Sequence, residues 1–129
     1  MPVVQLVIGL ALIEFLVFIA AVGRARVTYR VPAPATSGNE VFERYFRVQM
    51  NTLEQLIIFL PAIWIFAQYL SPIVAAALGV LFIIGRFVYF LSYVKDPTSR
   101  TTGMILSVVP NLVLLIGAIL GAFRAALLR

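Results

Sequence analysis

The sequence predicts an all-α integral membrane protein, four helices packed as one bundle, and three observations carry that prediction. Hydrophobic residues fill 63% of 129 positions and charged residues only 12%, for a mean hydropathy of +1.07; soluble domains carry about 25% charged residues. Apolar stretches lie at 3–22, 56–70, 73–91 and 104–123, where a span needs about 20 residues, or about 17 at the short end. The links between them are short, so residues 1–129 form one transmembrane domain with no separate soluble part.

Helices are expected at about 2–23, 40–69, 73–94 and 102–127. The first is read as a retained helix rather than a secretory signal: no basic residue precedes it, Glu14 interrupts its apolar centre, and no small-residue cleavage site follows. Pro32 and Pro34 favour extended chain in loop 1, and Ser37 or Asn39 can cap helix 2. The stretch 56–70 is too short alone and borrows length from the amphipathic segment before it. About 30 residues at about 1.5 Å each span about 45 Å, so two or three turns of helix 2 stand beyond about 30 Å of hydrocarbon, or the helix tilts. Pro61 and Pro110 are expected to kink helices 2 and 4, while Pro72 and Pro97 mark turns. No internal repeat or low-complexity segment is visible.

Arg24, Arg26 and Arg30 fall in loop 1 and Lys95 and Arg100 in loop 3, against Arg124 and Arg129 near the far end of the chain. The positive-inside rule therefore places loops 1 and 3 in the cytoplasm. The net charge of +5 follows from this bias and from attraction to anionic headgroups, so nucleic acid is not an expected partner. With no Cys and no His, thiol nucleophiles, imidazole bases and nearly all zinc, haem or iron–sulfur sites are excluded from within the chain, and the dispersed acidic residues form no metal cage. A strong nucleophile must arrive with a substrate.

The most informative segment runs from Phe42 to Gln55, where charged and amide groups sit on a helix about to enter fifteen almost wholly apolar residues. At about 100° per residue from Arg47, Glu43 lies at about −40°, Asn51 at about +40° and Glu54 at about −20°. These four share a face, whereas Arg44 sits at about +60° and Gln49 at about 200°. Glu43 and Arg47 suit an ordinary solvated i,i+4 pair. Asn51 and Glu54 do not, because an unpaired carboxylate at that depth costs several kcal/mol; they point to a polar ligand or an intersubunit contact. On helix 3, Arg86, Tyr89 and Tyr93 share another face, with the phenols toward the loop-3 end. Glu14, Arg86 and Asn111 lie at similar depth on helices 1, 3 and 4, and are expected to form a structural polar cluster in which Glu14 and Arg86 neutralise each other.

Phe42-Glu43-Arg44, followed by Arg47, Gln49, Asn51 and Glu54, resembles the signature of the MAPEG family of microsomal glutathione transferases and leukotriene or prostaglandin synthases. Arg26, Arg30, Pro34 and Gly38 before it, and Arg86, Tyr89, Phe90, Tyr93 and Arg100 after it, stand at spacings seen in the leukotriene-synthase branch. The resemblance implies a homotrimer of four-helix subunits, with glutathione bound between neighbouring subunits near the cytoplasmic side and a lipophilic electrophile or lipid hydroperoxide arriving from the bilayer. It implies that Arg26, Arg47, Asn51, Glu54, Tyr89 and Tyr93 hold glutathione. Gln49, which points away from the stripe, would serve the adjacent subunit. By the same resemblance Arg100 is the catalytic residue, stabilising the glutathione thiolate; Arg24, Arg30 and Lys95 remain ordinary loop cations.

Two departures stand out. Gln55 and Phe46 occupy positions where the leukotriene synthase has tyrosines, and the short C-terminus is more like that of bacterial members, which implies a bacterial inner membrane. The expected activity is glutathione transfer, with or without glutathione-dependent peroxidase activity, in detoxification. Two alternatives stay open: a small proton-coupled multidrug transporter using Glu14, and a catalytically silent scaffold of the same fold.

Overall fold

The computed structural model describes residues 1–128, and Arg129 of the charge argument lies outside them. Four helices account for nearly all of the chain: α1 (Pro2–Tyr29), α2 (Glu40–Tyr69), α3 (Pro72–Lys95) and α4 (Thr101–Leu127), with a 3₁₀ turn at Pro97–Ser99 before α4. All four are long and apolar enough to cross a membrane. Large aliphatic side chains such as Leu6, Leu16, Ile57, Ile84 and Leu120 are exposed along them, as expected of a surface solvated by lipid rather than water.

α1 continues to Tyr29, past the expected end near residue 23. The apolar run stops where hydrocarbon stops, but a helix stops only where its backbone is blocked. Arg24 and Arg26 are good helix formers, and the block comes at Arg30, which takes the left-handed conformation (φ 57°, ψ 51°) while the Val31 N–H bonds back to the Arg26 carbonyl at 3.0 Å. Pro32 then bars a return to helix. Loop 1 is correspondingly short, and Arg24 and Arg26 belong to α1.

The Asn39 side chain caps α2, accepting the Phe42 N–H at 3.0 Å, while Glu40 and Glu43 in the first turn complement the positive end of the helix dipole. Ser71 caps α3 through the Val74 N–H at 3.2 Å, with Pro72 next to it. Pro61 and Pro110 both sit inside continuous helices.

α2 packs against the other three helices, α3 lies along α4, and α1 rests on α2 and α3. One end of the bundle is wholly apolar: Val4, Val7 and Ala11 meet Phe59, Ile63 and Phe66, Phe82, and Leu114 and Ala118, with Phe59 and Phe82 stacked at 4.1 Å. The other end is aromatic and polar, built around Phe18, Val48, Tyr89 and Phe42. Between them α3 and α4 touch backbone to backbone. A Cβ on Gly85 would lie 2.5 Å from the Leu106 carbonyl carbon, and one on Gly103 would collide with the Tyr89 backbone. Only glycine permits that approach, and it sets Tyr89 and Arg86 against the start of α4.

Candidate functional site

The stripe on α2 straddles the boundary between core and surface. Val48 and Thr52 are buried, Asn51 is half-buried, and Arg47 and Glu54 are exposed. Arg86 on α3 is fully buried (0% exposed) at the point where α2, α3 and α4 meet. Its Nη2 donates to Asn51 Oδ1 at 2.7 Å and to Thr52 Oγ1 at 3.0 Å, its Nε to Thr52 Oγ1 at 3.3 Å, and its Nη1 to Ser107 Oγ at 3.2 Å. The guanidinium also lies 4.5 Å from the centroid of the Tyr89 ring, which stacks on Tyr93 at 5.4 Å. Three of the residues singled out from sequence, Asn51, Tyr89 and Tyr93, are therefore gathered from α2 and α3 around one buried cation, and Arg47 shares a cleft with Tyr93. A polar cleft of about 350 Å³ opens beside them toward loop 1, lined among others by Thr36, Glu43, Arg47, Tyr93 and Pro97.

Arg100 is exposed at the boundary between the 3₁₀ turn and α4, and the turn that presents it is tightly tied. Asp96 Oδ1 accepts the Thr98 N–H at 3.1 Å and the Thr98 hydroxyl at 2.8 Å, while the Ser99 hydroxyl reaches the Asp96 and Ser92 carbonyls at 2.8 and 3.1 Å. The bonds from Thr98, backbone first, hold the Asp96 carboxyl below its ordinary pKa.

The other predicted residues are placed differently. Arg26 donates to the Ala35 and Val31 carbonyls at 2.6 and 3.3 Å and lies 4.9 Å from the Phe42 ring centroid, so within the chain it organises loop 1 and touches none of the stripe. Glu43 accepts the Gly38 N–H at 3.3 Å instead of pairing with Arg47, and the i,i+4 ion pair on α2 is Glu40–Arg44 at 3.8 Å. Arg44 also donates to the last carbonyls of α3, Val94 at 3.2 Å and Lys95 at 3.4 Å, pinning the two helix ends together. Gln49 is half-buried and makes no side-chain hydrogen bond among the described residues. Glu54 is exposed between Leu53, Ile57 and Ile58, a carboxylate on an otherwise apolar flank.

The expected cluster of Glu14, Arg86 and Asn111 does not form as a direct ion pair. Glu14 has no salt bridge among the described residues. It lines an outward groove of about 400 Å³ with Ile13, Val17, Ile84 and Phe87, between α1 and α3. Arg86 turns the other way, into the α2–α4 seam, and its influence on Glu14 is only electrostatic. Asn111 donates to the Gln55 carbonyl at 3.1 Å and to Gln55 Oε1 at 3.0 Å. Equal depth along neighbouring helices did not mean a shared direction. The true partners of Arg86, Thr52 and Ser107, were passed over in the sequence. The available signal was their position as small hydroxyl residues, Thr52 directly after Asn51 and Ser107 one turn before Asn111 in an apolar helix.

A bundle of four helices able to span a membrane, with a buried arginine network and two stacked phenols toward one end, defines a multi-pass integral membrane protein. The chain belongs to the MAPEG family, whose model matches residues 4–120. It is 46% identical over 115 residues to an uncharacterized protein of Synechocystis sp., covering 89% of this chain and 84% of that one. It is 39% identical to human microsomal glutathione S-transferase 2 over 103 residues (79% of this chain, 70% of the relative). It is 35% identical to the leukotriene C4 synthase of Cavia porcellus over 114 residues (82% and 76%).

Proposed function

We propose that the whole chain is one MAPEG-like transmembrane unit acting as a membrane-bound glutathione transferase. It would activate glutathione as the thiolate for attack on a lipophilic electrophile, with peroxidase activity toward lipid hydroperoxides as a side reaction. The observation that supports this reading is that Arg86 joins Asn51 to Tyr89 while Tyr93, stacked on Tyr89, shares a cleft with Arg47, with Glu54 following on the same angular face of α2, in a chain that has no Cys and no His of its own. Glutathione offers two carboxylates, one ammonium and one thiol, and that set of guanidinium, amide, carboxylate and phenol groups is complementary to it. Arg47 and Arg26 suit the carboxylates, Glu54 the ammonium, and Asn51, Tyr89 and Tyr93 the remaining polar atoms.

Arg100 carries the chemistry. A thiol of pKa about 8.5 is about 3% ionised at pH 7, and lowering it by about two units requires about 2.7 kcal/mol of preferential stabilisation of the thiolate. Arg100 is exposed in the single chain; with a neighbouring subunit covering it in the proposed trimer, one cation supplies that. The thiolate then forms a carbon–sulfur bond with the electrophile, by adding to an activated double bond or displacing a leaving group, or it attacks the distal peroxide oxygen, breaking the O–O bond to give a sulfenic acid and, after protonation, an alcohol; a second glutathione thiol then displaces water from the sulfenic acid to give the disulfide.

The active form is a homotrimer in the proposal. Glu54 lies on an apolar flank of a spanning helix, where a bare carboxylate facing lipid is strongly disfavoured; a neighbouring subunit covers it, and that neighbour's Gln49 and Arg26 complete the pocket. Loops 1 and 3 face the cytoplasm of a bacterial inner membrane, where glutathione is supplied. The test is an equilibrium titration of the detergent-purified protein with glutathione, followed at thiolate absorbance. Saturable growth of the thiolate band supports the proposal, and an unchanged spectrum with no heat of binding refutes it.

A further inference from the structure

The polarity of the Asn51 amide is dictated from inside the bundle. An arginine side chain has five N–H donors and no acceptor, so the Asn51 atom lying 2.7 Å from Arg86 Nη2 must be the oxygen. The rest of the network agrees on direction. Ser107 spends its one hydroxyl proton on the Gly103 or Met104 carbonyl of its own helix, at 2.9 or 3.2 Å, which leaves its oxygen free to accept from Arg86 Nη1 at 3.2 Å. The Thr52 oxygen accepts from both Nε and Nη2. With four of its five N–H donors engaged on α2 and α4, and the guanidinium lying against Tyr89 and fully buried, Arg86 is enclosed by its own chain rather than presented to a ligand. The Asn51 Nδ2 has no acceptor among the described residues, and it is the opposite end of the same planar amide.

We propose that Arg86 is a positioning residue that locks the Asn51 amide with its oxygen inward and its NH₂ group on the side away from Arg86, so that Asn51 can only donate, to a carboxylate or carbonyl oxygen of the ligand. The terminal torsion of asparagine is broad and roughly two-fold, and without Arg86 the two orientations compete. With it, the donor is pre-set before ligand arrives. The same guanidinium lies beneath Tyr89, so one buried charge aligns groups on α2 and α3 together. The identity of the ligand rests on the glutathione reading above; the orientation of Asn51 does not.

The experiment compares glutathione affinity, turnover and thermal midpoint of the purified full-length protein. Asn51→Asp keeps an oxygen toward Arg86 but replaces the outward donor by a second oxygen. It should weaken glutathione binding by about 10-fold or more with no fall in midpoint. Arg86→Lys keeps the charge but not the planar fork; it should raise KM for glutathione by about 10-fold while kcat changes by less than about 3-fold. In an Asn51→Ala background the effect of Arg86→Lys on affinity should shrink to about 3-fold or less. Wild-type affinity in Asn51→Asp, or independent multiplication of the Arg86 and Asn51 effects, overturns the proposal. Should the unmodified protein bind no glutathione at all, the functional reading falls and the midpoints decide this one. Arg86→Lys must then cost less stability in the Asn51→Ala background than in the wild type, and strict additivity overturns the coupling.

Discussion

Gly103 offers the sharpest test of how the site is held. A methyl group there would collide with the Tyr89 backbone and come within 2.8 Å of the Tyr89 Cβ, whereas ordinary carbon contacts begin at about 3.5 Å. The obstacle is the backbone of α3 rather than the end of a flexible side chain, so α3 and α4 must separate by about 1 Å. Overpacking of this kind costs about 1–3 kcal/mol, and the higher helix propensity of alanine returns about 1 kcal/mol. A net loss of up to about 2 kcal/mol is expected for Gly103→Ala, or up to about 8 °C in thermal midpoint for a chain of this size. Gly9 and Gly23 provide the contrast, since a Cβ at either meets nothing within 4 Å. Their alanine variants should match the wild type or gain up to about 1 kcal/mol from helix propensity alone. Thermal unfolding in one detergent, with loss of helical circular dichroism as the readout, ranks the three variants. Because Tyr89 moves with the seam, Gly103→Ala should also weaken glutathione binding. A Gly103→Ala protein as stable as Gly9→Ala would refute the backbone contact between α3 and α4 from which the placing of Tyr89 is derived.

Removing the Arg100 charge should spare binding and cut thiolate formation: Arg100→Ala is expected to bind glutathione within about 3-fold of wild type and to lose about 25-fold in turnover at pH 7, as the thiolate fraction falls from about 75% to about 3%. Glu54→Ala should do the reverse, weakening binding by about 10-fold or more as its ammonium partner is lost; equal and negligible effects of the two would undo the assignment. Because Glu14 has no direct ion pair among the described residues, Glu14→Gln should change the midpoint by less than about 1 kcal/mol equivalent and leave glutathione binding intact, whereas loss of proton-driven drug efflux in cells would favour the transporter alternative. The Asp96 carboxyl has a lowered pKa in the folded chain, so its contribution to the turn before Arg100 is present above its unfolded value of about 3.9 and is lost as pH falls through the folded value. Asp96→Asn should therefore differ from wild type by a constant amount between about pH 5 and 8, converging only in stronger acid; midpoints measured across that range check it.

Much of the architecture is legible in the chain because hydrocarbon is so severe a solvent. A spanning backbone must satisfy its own N–H and C=O groups, so a long apolar run in a chain like this one has little choice but helix, and caps such as Asn39 and Ser71 mark where helices begin. The end of α1 was misplaced for a physical reason: apolarity reports the depth of the membrane, while the helix persists through Arg24 and Arg26 until Arg30 and Pro32 stop it. The stripe of Arg47, Asn51 and Glu54 was equally readable, since fixed angular steps along one helix need no knowledge of its neighbours.

What single-helix geometry cannot supply is the rotation of one helix against another. Glu14 and Arg86 stand at matching depth, yet one faces an outward groove and the other the interior seam, because the glycines at 85 and 103 draw α3 onto α4 and decide which side of α3 is buried. Sequence by itself determined a four-helix membrane chain with a row of ligand-grade polar residues on α2, through periodicity and the cost of desolvating charge. Tertiary packing alone decided that Arg86 serves Asn51, Thr52 and Ser107 rather than Glu14. A buried guanidinium takes whichever acceptors the closest backbones bring within about 3 Å, and that proximity belongs to the packed helices, not to any one of them.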